Sequence, residues 1–173
     1  MAPIKKKICL LGSFAVGKTS LVERFVHDRF DDKYLTTIGV KISQKLLAPI
    51  HPPSSSEMVQ HNFLIWDIAG FDKFNAVTLN YLRGAAGALA LADLTRPETL
   101  TDMRNLCDQF LSVNSGAKLV FVGNKIDIFP GDKAILNELG ATARSYATHY
   151  LTTSAKTAEK VENAFMDLSK RIL

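Results

Sequence analysis

The sequence predicts a three-layer α/β domain, and three observations lead there. Short, continuous apolar runs recur along the chain, segments with helical spacing follow them, and no second compositional region appears in 173 residues. A run that is apolar at every position suits a strand buried on both faces, as in a parallel sheet sandwiched between helices. Such sheets place ligands at the carboxyl ends of their strands.

The elements can be justified in chain order. Ile8-Cys9-Leu10-Leu11 is the first apolar run, and it leads into Gly12-Ser13-Phe14-Ala15-Val16-Gly17-Lys18-Thr19. Behind that glycine-rich loop, Leu21, Phe25 and Val26 share one helical face. Residues 40–47 and 61–67 are two further strand candidates, separated by Ala48-Pro49-Ile50-His51-Pro52-Pro53-Ser54-Ser55-Ser56. Proline and serine clusters interrupt strands, so residues 48–60 are expected to form a long, mobile hairpin loop. Residues 87–92 make a strand followed by a helix carrying Leu100, Met103, Leu106, Cys107 and Phe110. Residues 118–123 form the next strand, another closes at Thr153, and Val161, Ala164, Phe165 and Leu168 mark a last helix.

Composition bounds the function. A chain with 47% hydrophobic and 22% charged residues can bury a sizeable core and shows no sign of disorder. Lys+Arg exceed Asp+Glu by only 21 to 17, and the one basic run, Lys5-Lys6-Lys7, is expected to flank a strand and not to bind nucleic acid. Cys9 and Cys107 have neither metal-ligand spacing nor disulfide density, which points to a reducing compartment such as the cytoplasm. The apolar runs are far too short to cross a bilayer, and Met-Ala-Pro-Ile carries no signal h-region. No cysteine near Lys170-Arg171-Ile172-Leu173 offers a lipid attachment point, so membrane contact would need an anchor outside this chain.

The chemistry falls at the strand ends. Gly12-x4-Gly17-Lys18-Thr19-Ser20 sits between a strand and a helix, the context that makes a phosphate loop credible. Its glycines allow close approach, and successive N–H groups of Ala15, Val16, Gly17 and their neighbours, with the helix N-terminus, surround an anion. Lys18 would bridge β- and γ-phosphates, and Thr19 would present its hydroxyl to Mg²⁺. Asn124-Lys125-Ile126-Asp127 selects the base: the Asp127 carboxylate can accept both N1–H and N2–H of guanine, which adenine cannot supply. Asn124 would brace the loops and the stem of Lys125 would cover the base. From Ser154-Ala155-Lys156, the Ala155 N–H could donate to guanine O6 while Lys156 covers the opposite face. Asp67-Ile68-Ala69-Gly70 ends a strand, where Asp67 could hold a magnesium-bound water and Gly70 could offer its N–H to the γ-phosphate. Thr37 lies between, able to coordinate Mg²⁺ when a γ-phosphate is present.

Taken together, these five elements resemble the guanine-nucleotide motifs of Ras-superfamily small GTPases over essentially the whole chain. Trp66-Asp67-Ile68-Ala69-Gly70, Thr37-Ile38-Gly39-Val40 and Tyr81-Leu82-Arg83-Gly84-Ala85-Ala86-Gly87-Ala88 are most similar to the Rab branch. The resemblance implies a single phosphate-loop NTPase domain spanning 1–173, with a six-stranded, mostly parallel sheet. It implies GTP or GDP with Mg²⁺ as cofactors, with Phe30 against the base and Tyr34 among the nucleotide-binding residues. Thr37 and Gly70 would lie in switch I and switch II, which effector, exchange-factor and GTPase-activating proteins read, and a monomer is expected.

Two departures bear on catalysis. Phe71 stands where the family usually has the water-orienting glutamine, and Phe14 stands where a small residue is usual, beside the γ-phosphate. Lys18, Thr37 and Gly70 remain to contact the transition state, so binding with slow hydrolysis is expected. Val40-Lys41-Ile42-Ser43 also lacks the acidic and aromatic residues that usually follow the valine in Rab sequences. Other readings stay open: a non-cycling module held in one nucleotide state, or a Roc-like domain of a larger protein. An ATP-dependent kinase shares the glycine loop, but Asn124 to Asp127 argues against it.

Overall fold

The computed structural model describes residues 2–33, 36–70 and 75–173. Six strands and five α-helices alternate: β1 (Ile4–Leu11), α1 (Lys18–His27), β2 (Val40–Leu46), β3 (His61–Ile68), α2 (Ala76–Leu82), β4 (Gly87–Asp93), α3 (Glu98–Val113), β5 (Lys118–Asn124), α4 (Lys133–Ser145), β6 (Tyr150–Thr152) and α5 (Val161–Arg171). The sheet order is β2-β3-β1-β4-β5-β6. Among the named strands of the described residues β2 and β3 pair antiparallel, while β1, β3, β4, β5 and β6 run the same way. The three-layer α/β expectation therefore holds.

Period-two alternation sorts the core onto the two faces of the sheet. Ile8, Leu10, Leu89, Leu91, Val120 and Val122 pack with Leu21 of α1 and Phe165 and Leu168 of α5. Cys9, Leu11, Ala88, Ala90, Ala92 and Phe121 face the other way, with Leu82 of α2, Met103, Leu106 and Phe110 of α3, and Leu139 of α4. The three alanines of β4 leave room for the bulky side chains of α3, so volume is matched across the interface. Phe25 stacks on Phe165 with ring centroids 3.9 Å apart and planes 4° from parallel, tying α1 to α5. Such a pair adds about 0.5–1.5 kcal/mol beyond its buried area.

Several boundaries differ from expectation. The lysine run does not flank β1; it lies within it, because Ile4 to Lys7 pair with His61 to Leu64 of β3. Lys7 is then used structurally: its ammonium donates to the carbonyls of Tyr81 (2.5 Å) and Arg83 (2.8 Å) and lies 3.8 Å from the centroid of the Trp66 ring. The β2–β3 connection carries an antiparallel bridge between Ile50 and Val59, with Ile50 buried, so the proline-serine segment has a pinned base. Cys9 and Cys107 are both buried free thiols, pushed up in pKa by desolvation, Cys9 to about 12. No helix among the described residues is long and apolar enough to cross a membrane.

Candidate functional site

The loop from Gly12 to Gly17 joins β1 to α1, and α1 opens at Lys18 without any side-chain N-cap. Its first-turn N–H groups are thus left facing the strand ends. Gly17 adopts φ 103, and a Cβ there would collide with the side-chain amide of Asn124. Only glycine satisfies both constraints. Ala15 holds a left-handed φ of 62 although it has a Cβ. Phe14 leaves its side chain about half exposed, at 47%, while Val16 is buried and Ser20 half-buried in the first turn of α1.

Lys18 is buried, and its ammonium donates to the carbonyl oxygens of Gly12 (2.8 Å) and Ser13 (3.1 Å). Desolvation lowers its pKa to about 8, opposed by the charge of Asp67. Gly70 packs so tightly here that an added Cβ would stand 2.7 Å from Phe14 Cα, 2.8 Å from Phe14 N and 2.9 Å from Lys18 Nζ. The segment just after β3 therefore lies directly against the Phe14 main chain and the Lys18 ammonium.

Beside this contact, Thr19 Oγ1 donates to Asp67 Oδ2 at 2.5 Å and lies 2.5 Å from Thr37 Oγ1. Asp67 is buried and its Oδ1 has no hydrogen-bond partner among the described residues. Burial raises its pKa, against the Thr19 hydrogen bond and the charge of Lys18. Three converging oxygens, one on an orphaned buried carboxylate, form a donor set suited to a hard divalent cation, so the residues fit Mg²⁺.

On the far side of the loop, β5 delivers Asn124 at its end. The buried Asn124 amide donates to Val16 O at 3.0 Å, and its Oδ1 accepts from Thr153 Oγ1 at 3.0 Å. Lys125, at a left-handed φ of 68, turns its ammonium to Ala15 O (2.9 Å) and to the buried Asp93 (2.7 Å). Ser154 Oγ donates to Asp127 Oδ1 at 2.7 Å and accepts from the Thr157 N–H, fixing a carboxylate that is itself exposed. Arg24 of α1 donates to the carbonyls of Ala155 (2.9 Å) and Lys156 (2.8 Å), holding that loop against α1. Lys156 Nζ lies 3.7 Å from Asp32. Phe30 is half-buried at the edge of the α1–α5 core.

The structure thus brings Phe14 to Ser20, Thr37, Asp67, Gly70, Asn124, Lys125, Asp127 and Ser154 to Lys156 to the carboxyl edge of one sheet. Tyr34 and Phe71 lie outside the described residues. Three contributors escaped the sequence reading. Asp93 ends an otherwise apolar strand, a signal that could have been used; burial would raise its pKa, but hydrogen bonds from Lys125 and Thr95 hold it below the usual carboxylate range. Arg96 donates to Phe14 O, and Arg24 to the Ala155 loop, both through main-chain oxygens that leave no pattern in sequence.

Comparison with known proteins agrees with this layout. A Ras family model matches residues 7–173. Ras-related protein Rab-22A of Mus musculus and of Homo sapiens are each 34% identical over 173 residues, covering 99% of this chain and 86% of the relative. Ras-related protein Rab-4A of Danio rerio is 33% identical over 168 residues, covering 96% of this chain and 76% of the relative. With the family pattern spread over nearly the whole chain, this protein belongs to the Ras family as a Rab-like small GTPase.

Proposed function

We propose that the chain is a single-domain guanine-nucleotide switch that binds GTP and GDP with Mg²⁺ and hydrolyses GTP slowly. The observation that carries this reading is the convergence at one sheet edge of the buried Lys18 ammonium, the Thr19–Asp67–Thr37 oxygen cluster and the Ser154-anchored Asp127. Asp127, oriented by Ser154, accepts the two N–H groups of guanine, and the N–H of Ala155 meets O6. Lys18 exchanges its carbonyl partners for phosphate oxygens, and Phe14 to Ser20 line the phosphates with N–H groups. Phe30, Tyr34, Lys125 and Lys156 enclose the nucleoside. Thr19, Thr37 and Asp67 hold Mg²⁺, which when bound neutralises charge on the β- and γ-oxygens.

Hydrolysis is the weak step. Related GTPases with a water-orienting glutamine turn over at only on the order of 10⁻⁴ s⁻¹ unaided. Phe71 supplies no donor or acceptor, and Phe14 puts a bulky, half-exposed residue at the main chain that Gly70 contacts. Lys18, Thr37 and Gly70 are left to stabilise the transferring phosphoryl group. Single-turnover phosphate release should fall below that rate, with Phe71→Gln raising it; release at or above the usual rate in the unaltered chain refutes the reading. Titration with GTP against ATP tests the base preference separately.

The same two phenylalanines favour a second reading, a module held in the GTP state and controlled by exchange or expression. GTP co-purifying with the protein, with no turnover in the presence of activating partners, would select it. In either case effector, exchange-factor and activating proteins engage the exposed Ile38, Ile42, Val77 and Tyr81 that flank the site. The protein acts as a monomer in the cytoplasm and reaches vesicle membranes peripherally through its partners.

A further inference from the structure

Three consecutive carbonyls of the phosphate loop are each held by a different side chain. Phe14 O accepts from Arg96 at 2.7 Å, Ala15 O from Lys125 at 2.9 Å, and Val16 O from Asn124 at 3.0 Å. Within a trans peptide plane, C=O and N–H point in opposite directions. Fixing these three oxygens on one side therefore turns the N–H groups of Ala15, Val16 and Gly17 to the other, forming a concave row of donors. The backbone resists this arrangement: Ala15 sits at φ 62, where a Cβ is unfavourable, and its two flanking peptide planes are the ones that Arg96 and Lys125 hold.

Asn124 and Lys125 come from the base-selecting loop, whereas Arg96 comes from the β4–α3 turn. Arg96 and Lys125 share one anchor. The buried carboxylate of Asp93 lies 2.7 Å from Lys125 Nζ and 3.5 Å from Arg96 Nε, and Thr95 donates to its other oxygen. We propose that Arg96, anchored on Asp93, is a positioning residue for nucleotide binding: it fixes the Phe14–Ala15 peptide so that the Ala15 N–H faces the bound phosphates and the strained Ala15 conformation is retained. This rests on the guanine-nucleotide reading above and adds a residue that never meets the nucleotide.

The test measures dissociation of a fluorescent GDP from the full chain, with Arg96→Ala, Ala15→Gly and the double variant. Arg96→Ala should speed release about three- to tenfold, the scale of one charge-assisted hydrogen bond at a partly exposed site. Its preference for GDP over xanthosine diphosphate should be unchanged, since Asp127 is untouched. Ala15→Gly removes the left-handed penalty, so in the Arg96→Ala background it should bring release back to within about twofold of the unaltered chain. Unchanged release in Arg96→Ala overturns the proposal. So does faster release that glycine fails to rescue, which would mark Arg96 as a general stabiliser. A wild-type chain that fails to bind GDP overturns the nucleotide reading itself, and the clamp with it.

Discussion

Asn124→Ala tests how far two distant loops depend on one amide. In the fold, Asn124 is buried, donates to Val16 O and accepts from Thr153 Oγ1, so it joins the phosphate loop to the segment after β6. Truncation leaves the Val16 carbonyl and the fully buried Thr153 hydroxyl without these partners. Each buried group left unpaired costs about 1–3 kcal/mol, so the sum is about 2–5 kcal/mol once some relaxation is allowed. Against a total stability of about 5–15 kcal/mol, that is a large fraction. Equilibrium urea denaturation of nucleotide-free protein should show a midpoint lowered by about 1–2.5 M, taking a slope near 2 kcal/mol/M. Thr153→Val breaks only one of the two bonds and should cost about 1 kcal/mol. A loss below about 0.5 kcal/mol for Asn124→Ala, or one no larger than that of Thr153→Val, would refute the reasoning, because the link to Val16 would then carry no weight.

Three further outcomes follow from the geometry. Gly70→Ala would force its Cβ within 2.9 Å of the Phe14 backbone and the Lys18 ammonium, so the end of β3 must retract; calorimetry should show affinity for a non-hydrolysable GTP analogue falling about tenfold relative to GDP, and an unchanged ratio contradicts the contact. His61 is buried against Ser169 Oγ at 2.8 Å, and burial followed by the charge of Lys6 lowers its pKa. A histidine kept neutral in the fold binds fewer protons than in the unfolded chain, so stability rises with pH up to the unfolded value near 6.5 and is lost on acidification below it, by at most about 1.4 kcal/mol per pH unit. Melting curves from pH 7.5 to 5 should show a steeper decline for the unaltered chain than for His61→Gln, and parallel declines contradict the assignment. Lys7→Met removes two hydrogen bonds to the end of α2, and amide exchange around Leu82 and Arg83 should quicken about tenfold while the sheet stays protected; unchanged exchange there means Lys7 does not hold α2.

Much of this was legible because different signals agreed. The unbroken apolar runs at 87–92 and 119–122 require cover on two faces, and β4 and β5 indeed supply alternate residues to both cores. Pro52 and Pro53 mark the β2–β3 connection correctly, while the bridge between Ile50 and Val59 depends on cross-strand pairing that no local pattern announces. A helix is expected after the run at 119–122, and α4 takes that place; the residues that mark it are Ile135, Leu139 and Ala143, which recur every four residues, and Asp132, which caps it by accepting from the Ala134 N–H. Lys5 to Lys7 looked like a flank because charge obscures a strand whose pairing is set by β3. Asp93 left a trace, as the charged end of an apolar strand, whereas Arg96 left none: it acts on Asp93 and on a main-chain oxygen, so its meaning arises only once the turn after β4 meets the loop after β1.

The antiparallel pairing of β2 with β3 carries a mechanical consequence. Past the last paired residues of β2 and β3, the ladder continues through one bond in which the Ala69 N–H donates to Gly39 O at 2.9 Å, two residues from Thr37 and one from Gly70. Tension on either strand tip is therefore passed directly to its neighbour, like two teeth of a closed zip. A displacement at Gly70 is thus coupled to the segment around Ile38 through one main-chain bond, with no side chain needed to relay it.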